Sequence, residues 1–189
     1  MGPIVQGVVL DVHTSGDYLP TAHVHALTRP FPAISLTLPT DLRTAGGVQD
    51  SVRPWQHTPA FVAQAAARLR TASPLPMEAE VFVEDLVGAY REEIVARRFA
   101  RSPTSVNELE DQVLVPAALG RSDLVRDGLA FARSFAAGWP PGSLELWGRG
   151  DDWLEVLAEQ AAHPEVIEAT VEDEVRVHKL AALPFVPLG

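Results

Sequence analysis

Between residues 102 and 138 the chain carries two apolar-striped segments, each opened by a capping residue and separated only by Leu119-Gly120-Arg121-Ser122. Two amphipathic segments joined so closely have one straightforward arrangement, an antiparallel helical hairpin. Ser105 with Glu108 three residues on has the spacing of a reciprocal cap at a helix start. Gly120 stops the first helix, and Ser122 is placed to cap the second. Leu124, Val125, Leu129, Phe131, Ala132 and Phe135 then recur at helical spacing as far as Gly138. Pro116 marks a kink or an early end in the first helix.

A hairpin needs a body to pack on, and the sequence places strands before it and helices around it. Ile4 to Val12 is rich in β-branched residues and is followed by the turn residues Thr14-Ser15-Gly16-Asp17, so a β-hairpin is expected, its second strand running through about His23 to Thr28. Ile34, Leu36 and Leu38 alternate with polar neighbours and predict a third strand. From Thr58-Pro59, a cap followed by proline in the first turn, the apolar period becomes helical: Phe61, Val62, Ala65, Ala66 and Leu69 form a stripe. Residues 77–83 alternate like a strand, yet Phe82, Leu86, Val87, Tyr90, Ile94 and Val95 share a helical face, which favours a helix at least from about Glu84.

Trp139-Pro140-Pro141-Gly142-Ser143 is the strongest linker signal. Leu144 to Trp147 beyond it reads as a short strand, Asp151 and Asp152 open a helix through Gln160, and Glu165 to about Ala181 forms the last helix. Leu183 to Gly189 reads as a tail laid against the body. Segregated strands and helices imply an α+β fold. The expectation is one domain over residues 1–189: a small N-terminal antiparallel sheet (strands mainly 4–40) packed against about six helices (mainly 58–181), with 139–143 as the one seam.

Cysteine is absent, which removes disulfides, thiolate nucleophiles and cysteine-ligated metals by inventory. The start lacks a basic n-region, and no apolar run approaches the ~18 residues of a membrane span, so a cytoplasmic protein without membrane contact is expected. The net charge of −10 is concentrated at the end: residues 145–189 hold ten acids against three bases. Such a surface repels nucleic acid and speeds encounter with a basic protein.

No nucleophile-elbow, zinc-protease, P-loop or dinucleotide-binding motif occurs. His23 and His25 share one strand face by the period of two, with His13 at the other end of the hairpin; three imidazoles could hold zinc. The pairing implied by the turn separates His13 from the other two, which leaves His23 and His25 as polar-face residues of a half-buried strand. Asp151, Asp152 and Glu155 have the carboxylate density of a divalent-cation site, but acids in a first turn also complement the helix dipole, and that account is preferred. Trp139, Trp147 and Trp153 fall within fifteen residues that also contain Arg149, a composition common at binding hot spots.

These residues predict a non-enzymatic, acidic interaction protein that binds a basic partner, of the inhibitor or immunity type, without cofactor or metal. Trp147, Arg149, Asp151, Asp152, Glu165, Glu168 and Glu172 are the expected partner-binding residues. Two alternatives stand beside it. One is a metal-dependent hydrolase using the hairpin histidines or the acids from Asp151 to Glu155; the other is a scaffold that self-associates, for instance as a homodimer, through apolar helix faces. The charges of the helical hairpin nearly cancel, with Glu108, Glu110, Asp111, Asp123 and Asp127 against Arg121, Arg126 and Arg133, so the hairpin reads as scaffold.

Overall fold

In the computed structural model, which describes residues 2–12, 16–30, 37–53, 55, 58–76, 79–96, 105–183 and 188, the β-rich start forms a three-stranded antiparallel sheet in the order β1-β2-β3. Strand β1 (Ile4–Val12) pairs with β2 (Tyr18–Ala26) along its whole length, from Ile4 opposite Ala26 to Val12 opposite Tyr18. Strand β3 (Thr37–Asp41) adds to β2 with a register shift between Ala22 and Val24. The shift has a local cause. Pro39 has no N–H to give the ladder, and Leu38 before it adopts φ +49°, so two residues of β3 stand opposite one of β2. Ile34, Leu36, His13 and Met77 lie outside the described residues.

Ala22, Val24 and Ala26 put one face of β2 into the core. Helix α1 (Pro59–Ala72) begins as its sequence predicts, the Thr58 hydroxyl accepting the Phe61 N–H at 3.3 Å, and lays Ala65 and Leu69 against Ala22 and Leu42. Helix α2 (Val83–Ala96) starts one residue before the expected Glu84 and buries Leu86, Tyr90 and Ile94. Val81 before it makes a parallel bridge with Leu188, while residues 184–187 and 189 of the expected tail lie outside the described residues.

The hairpin forms from α3 (Val106–Ala118) and α4 (Ser122–Ala136). Gly120, at φ +69°, closes α3: its N–H bonds to the Ala117 carbonyl, and the Arg121 N–H reaches back to Pro116 at 2.9 Å. This paired closure needs a left-handed residue, and glycine reaches that region without a Cβ clash. Gly128 serves a different need. A Cβ there would stand 3.0 Å from Val113 Cγ2 and 3.2 Å from the Gln112 carbonyl oxygen, so its bareness lets α4 lie close on α3.

Two expected caps are not made. Ser105 sits at φ −121° and ψ 28°, short of the extended conformation a cap side chain uses, and makes no cap bond. Ser122 is already the first helical residue, with Arg121 in the cap position.

After α4 the expected strand at Leu144 to Trp147 is instead a 3-10 turn, Glu145–Trp147, framed by left-handed Gly142 and Gly148. It buries Leu144 and leaves Leu146 93% exposed, whereas a strand would have sent both the same way. Helices α5 (Trp153–Ala161) and α6 (Pro164–Val177) follow. Helix α6 stops short of the expected Ala181 because Lys179 turns left-handed at φ +55°.

Helix α3 is the axis of the whole. It touches α2, α4, α5, α6 and β3, and among its residues all but Asn107 and Ala118 are buried. No helix among the described residues is long and apolar enough to cross a membrane.

Candidate functional site

The first two turns of α3 bring Glu108, Glu110, Asp111 and Gln112 into this buried position. A buried carboxylate needs opposite charge and donors, or it becomes neutral. For Glu110 and Asp111 the arginines of the hairpin do not supply them, contrary to the balance its sequence suggests. Arg121 faces outward between Glu84 at 2.6 Å and Asp123 at 3.2 Å. The partners come from far along the chain.

Glu110 collects four donors. Its Oε1 accepts from Arg149 Nε at 2.7 Å and from Trp153 Nε1 at 2.9 Å; its Oε2 accepts from Arg149 Nη2 at 2.9 Å and from Arg29 Nη1. Arg29 Nη2 donates to Asp111 Oδ1 at 2.7 Å, and Arg29 Nη1 also reaches Asn107 Oδ1 at 3.2 Å. Beyond Asp111 the chain of contacts runs through the Tyr90 hydroxyl, 3.5 Å from Asp111 Oδ2, to Thr37 and the carbonyl of Val24. One node thus ties the segment after β2, helix α2, the loop before α5 and α5 itself to the central helix.

Burial pushes the Asp111 carboxyl up to about 6, although Arg29 pulls the other way; the neighbouring Glu110 and Glu108 charges add to the rise. The Tyr90 hydroxyl is raised well above its ordinary value, chiefly by burial. With four donors on its two oxygens, Glu110 has no lone pair left for proton transfer to a substrate. Its chemistry is that of a pin. It holds Arg149, which also donates to the Trp147 carbonyl at 2.7 Å, and thereby holds the loop that leads into the acidic end.

The predicted partner-binding residues part company. Arg149 belongs to the buried node. Trp153 is also buried and stacks on Trp139, with ring centres 5.9 Å apart, in a row continued by Phe135 and Phe131. Trp147 is outward, beside the exposed Leu146. Asp151 and Asp152 are exposed, and Asp151 accepts from the Gly142 N–H at 3.2 Å. Glu165 is exposed and lies 3.1 Å from His163 Nδ1, while Glu159 lies 3.1 Å from Nε2 of the same ring, and these two acids raise its pKa. Glu168 and Glu172 are exposed and make no hydrogen bond or ion pair among the described residues. Arg176, one turn beyond Glu172, pairs with Asp173 instead at 2.8 Å.

Glu168 and Glu172 also edge a groove of about 360 Å³. Its walls are Val171 and Val175 of α6, Ala118 and Leu119 at the end of α3, and Pro3.

The histidines behave differently from a solvated polar face. His23 is buried, His25 half-buried, and their rings meet edge to face at 4.5 Å. His23 lies opposite Gly7 in the β1–β2 pair. Burial lowers both imidazoles, His25 to about 4 with help from its neighbour. Among the described residues no three histidine, aspartate or glutamate side chains gather as metal ligands. Comparison with known protein families, curated proteins and solved structures finds no match to this chain.

Proposed function

We propose that the chain is a non-enzymatic interaction protein whose acidic C-terminal quarter binds a basic protein partner, in the manner of an inhibitor or immunity protein. The observation that carries this reading is the state of the outer carboxylates. Glu168 and Glu172 stand exposed on α6 without partners among the described residues, on a helix that packs directly against α3 and α5. Unpaired charge on a rigid support is a good receptor for opposite charge, because little of the protein has to be ordered on binding. Leu146 and Trp147 at the margin add exposed apolar surface of the kind that anchors an interface.

The test compares the immobilised protein with its E165Q/E168Q/E172Q variant as bait in extracts of its own source, at low and at raised salt. Basic proteins retained by the parent, released by salt, lost with the variant and rebound after purification would support the reading. Equal retention by both baits, or salt-insensitive retention, would overturn it.

A further inference from the structure

We infer that the groove between α6 and the end of α3 is the receptor for a single arginine side chain of that basic partner. The inference rests on the function proposed above and adds where, and by what chemistry, the partner is read. Glu168, Val171, Glu172 and Val175 recur at the spacing of one helical stripe, so α6 presents two carboxylates and two valines to the same cleft. Facing them are Ala118 and Leu119 at the C-terminal end of α3. Pro3 completes an apolar wall.

The cleft therefore combines apolar walls with the negative charge of Glu168 and Glu172. A long side chain with an aliphatic stem and a cationic head matches that profile. An acidic partner would meet repulsion, and a neutral or purely apolar one would bring no counter-charge to the two carboxylates. Arginine is preferred to lysine because its planar fork can donate to carboxylates one turn apart while a compact ammonium satisfies one at a time. Among the described residues, Arg176 is turned to Asp173, and Arg121 is held by Glu84 and Asp123.

The probes are n-butylguanidinium, n-butylammonium and n-butanol, each titrated into the full-length isotope-labelled protein and followed by NMR at the amides and methyls of Ala118, Leu119, Val171 and Val175. The expected result is saturable, localised perturbation by the guanidinium, weaker by the ammonium and absent for the alcohol. In E168Q/E172Q the guanidinium should bind at least about tenfold more weakly, whereas E155Q/E159Q, whose exposed side chains lie outside the groove, should leave it unchanged. Perturbation spread over α5 and α6 and weakened alike by both variants would overturn the groove while leaving the acidic-surface reading standing. Perturbation by butanol equal to that by the cations, or no saturable perturbation, would overturn it as well. The affinity comparison described above then decides separately whether the broader reading survives.

Discussion

Helices α3 and α6 carry the same acidic residue and use it in opposite ways. On α3, Glu110 is buried and receives four donors from Arg29, Arg149 and Trp153. On α6, Glu168 and Glu172 are exposed at the edge of a groove with no such donors among the described residues. The inner carboxylate is committed to holding the fold, and the outer pair is available to something else. The difference teaches that the acidity of this chain is two populations. Only the outer one is placed to meet the partner proposed above, on a helix that packs against both α3 and α5.

The comparison breaks most sharply at Glu110. Glu110→Ala would leave the Arg29 and Arg149 guanidinium groups facing each other across a buried gap, with the Trp153 N–H unsatisfied. Removing one member of a buried ionic set destabilises by about 3–5 kcal/mol, which for a chain of this length lowers the melting temperature by roughly 6–20 °C. Urea and thermal denaturation measure it. A loss within about 0.5 kcal/mol, the level of an ordinary surface change, would show that the node does not pin the fold.

Why was this node hidden in the sequence when so much around it was legible? Local signals are short, and the node is not. Thr58 with Pro59, Gly120 and the stripe of α4 are read correctly because each is satisfied within a turn of itself. The partners of Glu110 stand 81, 39 and 43 residues away in the chain, and no spacing rule joins them. One signal did exist. Val113 to Ala118 is apolar right around α3, and a helix apolar on all sides is buried. Its polar residues from Glu108 to Gln112 run along the same axis and are buried with it, so those side chains had to find partners within the protein. The 3-10 turn at Glu145–Trp147 was missed for the opposite reason. Four residues of apolar-polar alternation are too few to separate a strand from a turn, and the two left-handed glycines that frame the segment decide it. The acidic surface was legible as charge; that two of its carboxylates share a cleft with the end of α3 depends on how the helices pack.

The pH dependence sharpens the comparison within the inner population. Burial raises Asp111 to about 6, above the ordinary carboxylate value of about 3.9, so between those limits the folded state binds a proton that the unfolded chain releases. This group's contribution to stability is complete below about pH 4 and is lost as pH rises through 6. His25 works against it. Its lowered value means that the folded state resists the proton, so stability is lost as pH falls from about 6.5 towards 4. Asp111→Asn removes the first contribution alone. Relative to the parent, the variant should therefore lose stability on acidification from pH 7 to 4, by up to about 3 kcal/mol, as read from melting temperature against pH. A variant that gains on the parent over this range would show that Arg29, not burial, dominates the Asp111 carboxyl.

The smallest effect belongs to the outer population, and its smallness is the point. Glu165, Glu168 and Glu172 are solvated, and among the described residues only Glu165 of the three has a partner, the His163 imidazole at 3.1 Å. Exposed pairs of this kind contribute about 0–1 kcal/mol, and easing repulsion among neighbouring acids offsets part of that. E165Q/E168Q/E172Q should thus melt within about 2–4 °C of the parent, with an unchanged urea dependence. Fold and surface are then separable: the triple variant is a properly folded protein that differs in what its C-terminal helices offer, so any binding it loses is loss of recognition. If instead it unfolded as readily as Glu110→Ala, the outer carboxylates would belong to the same structural network as the inner one, and the division between the two helices would fail.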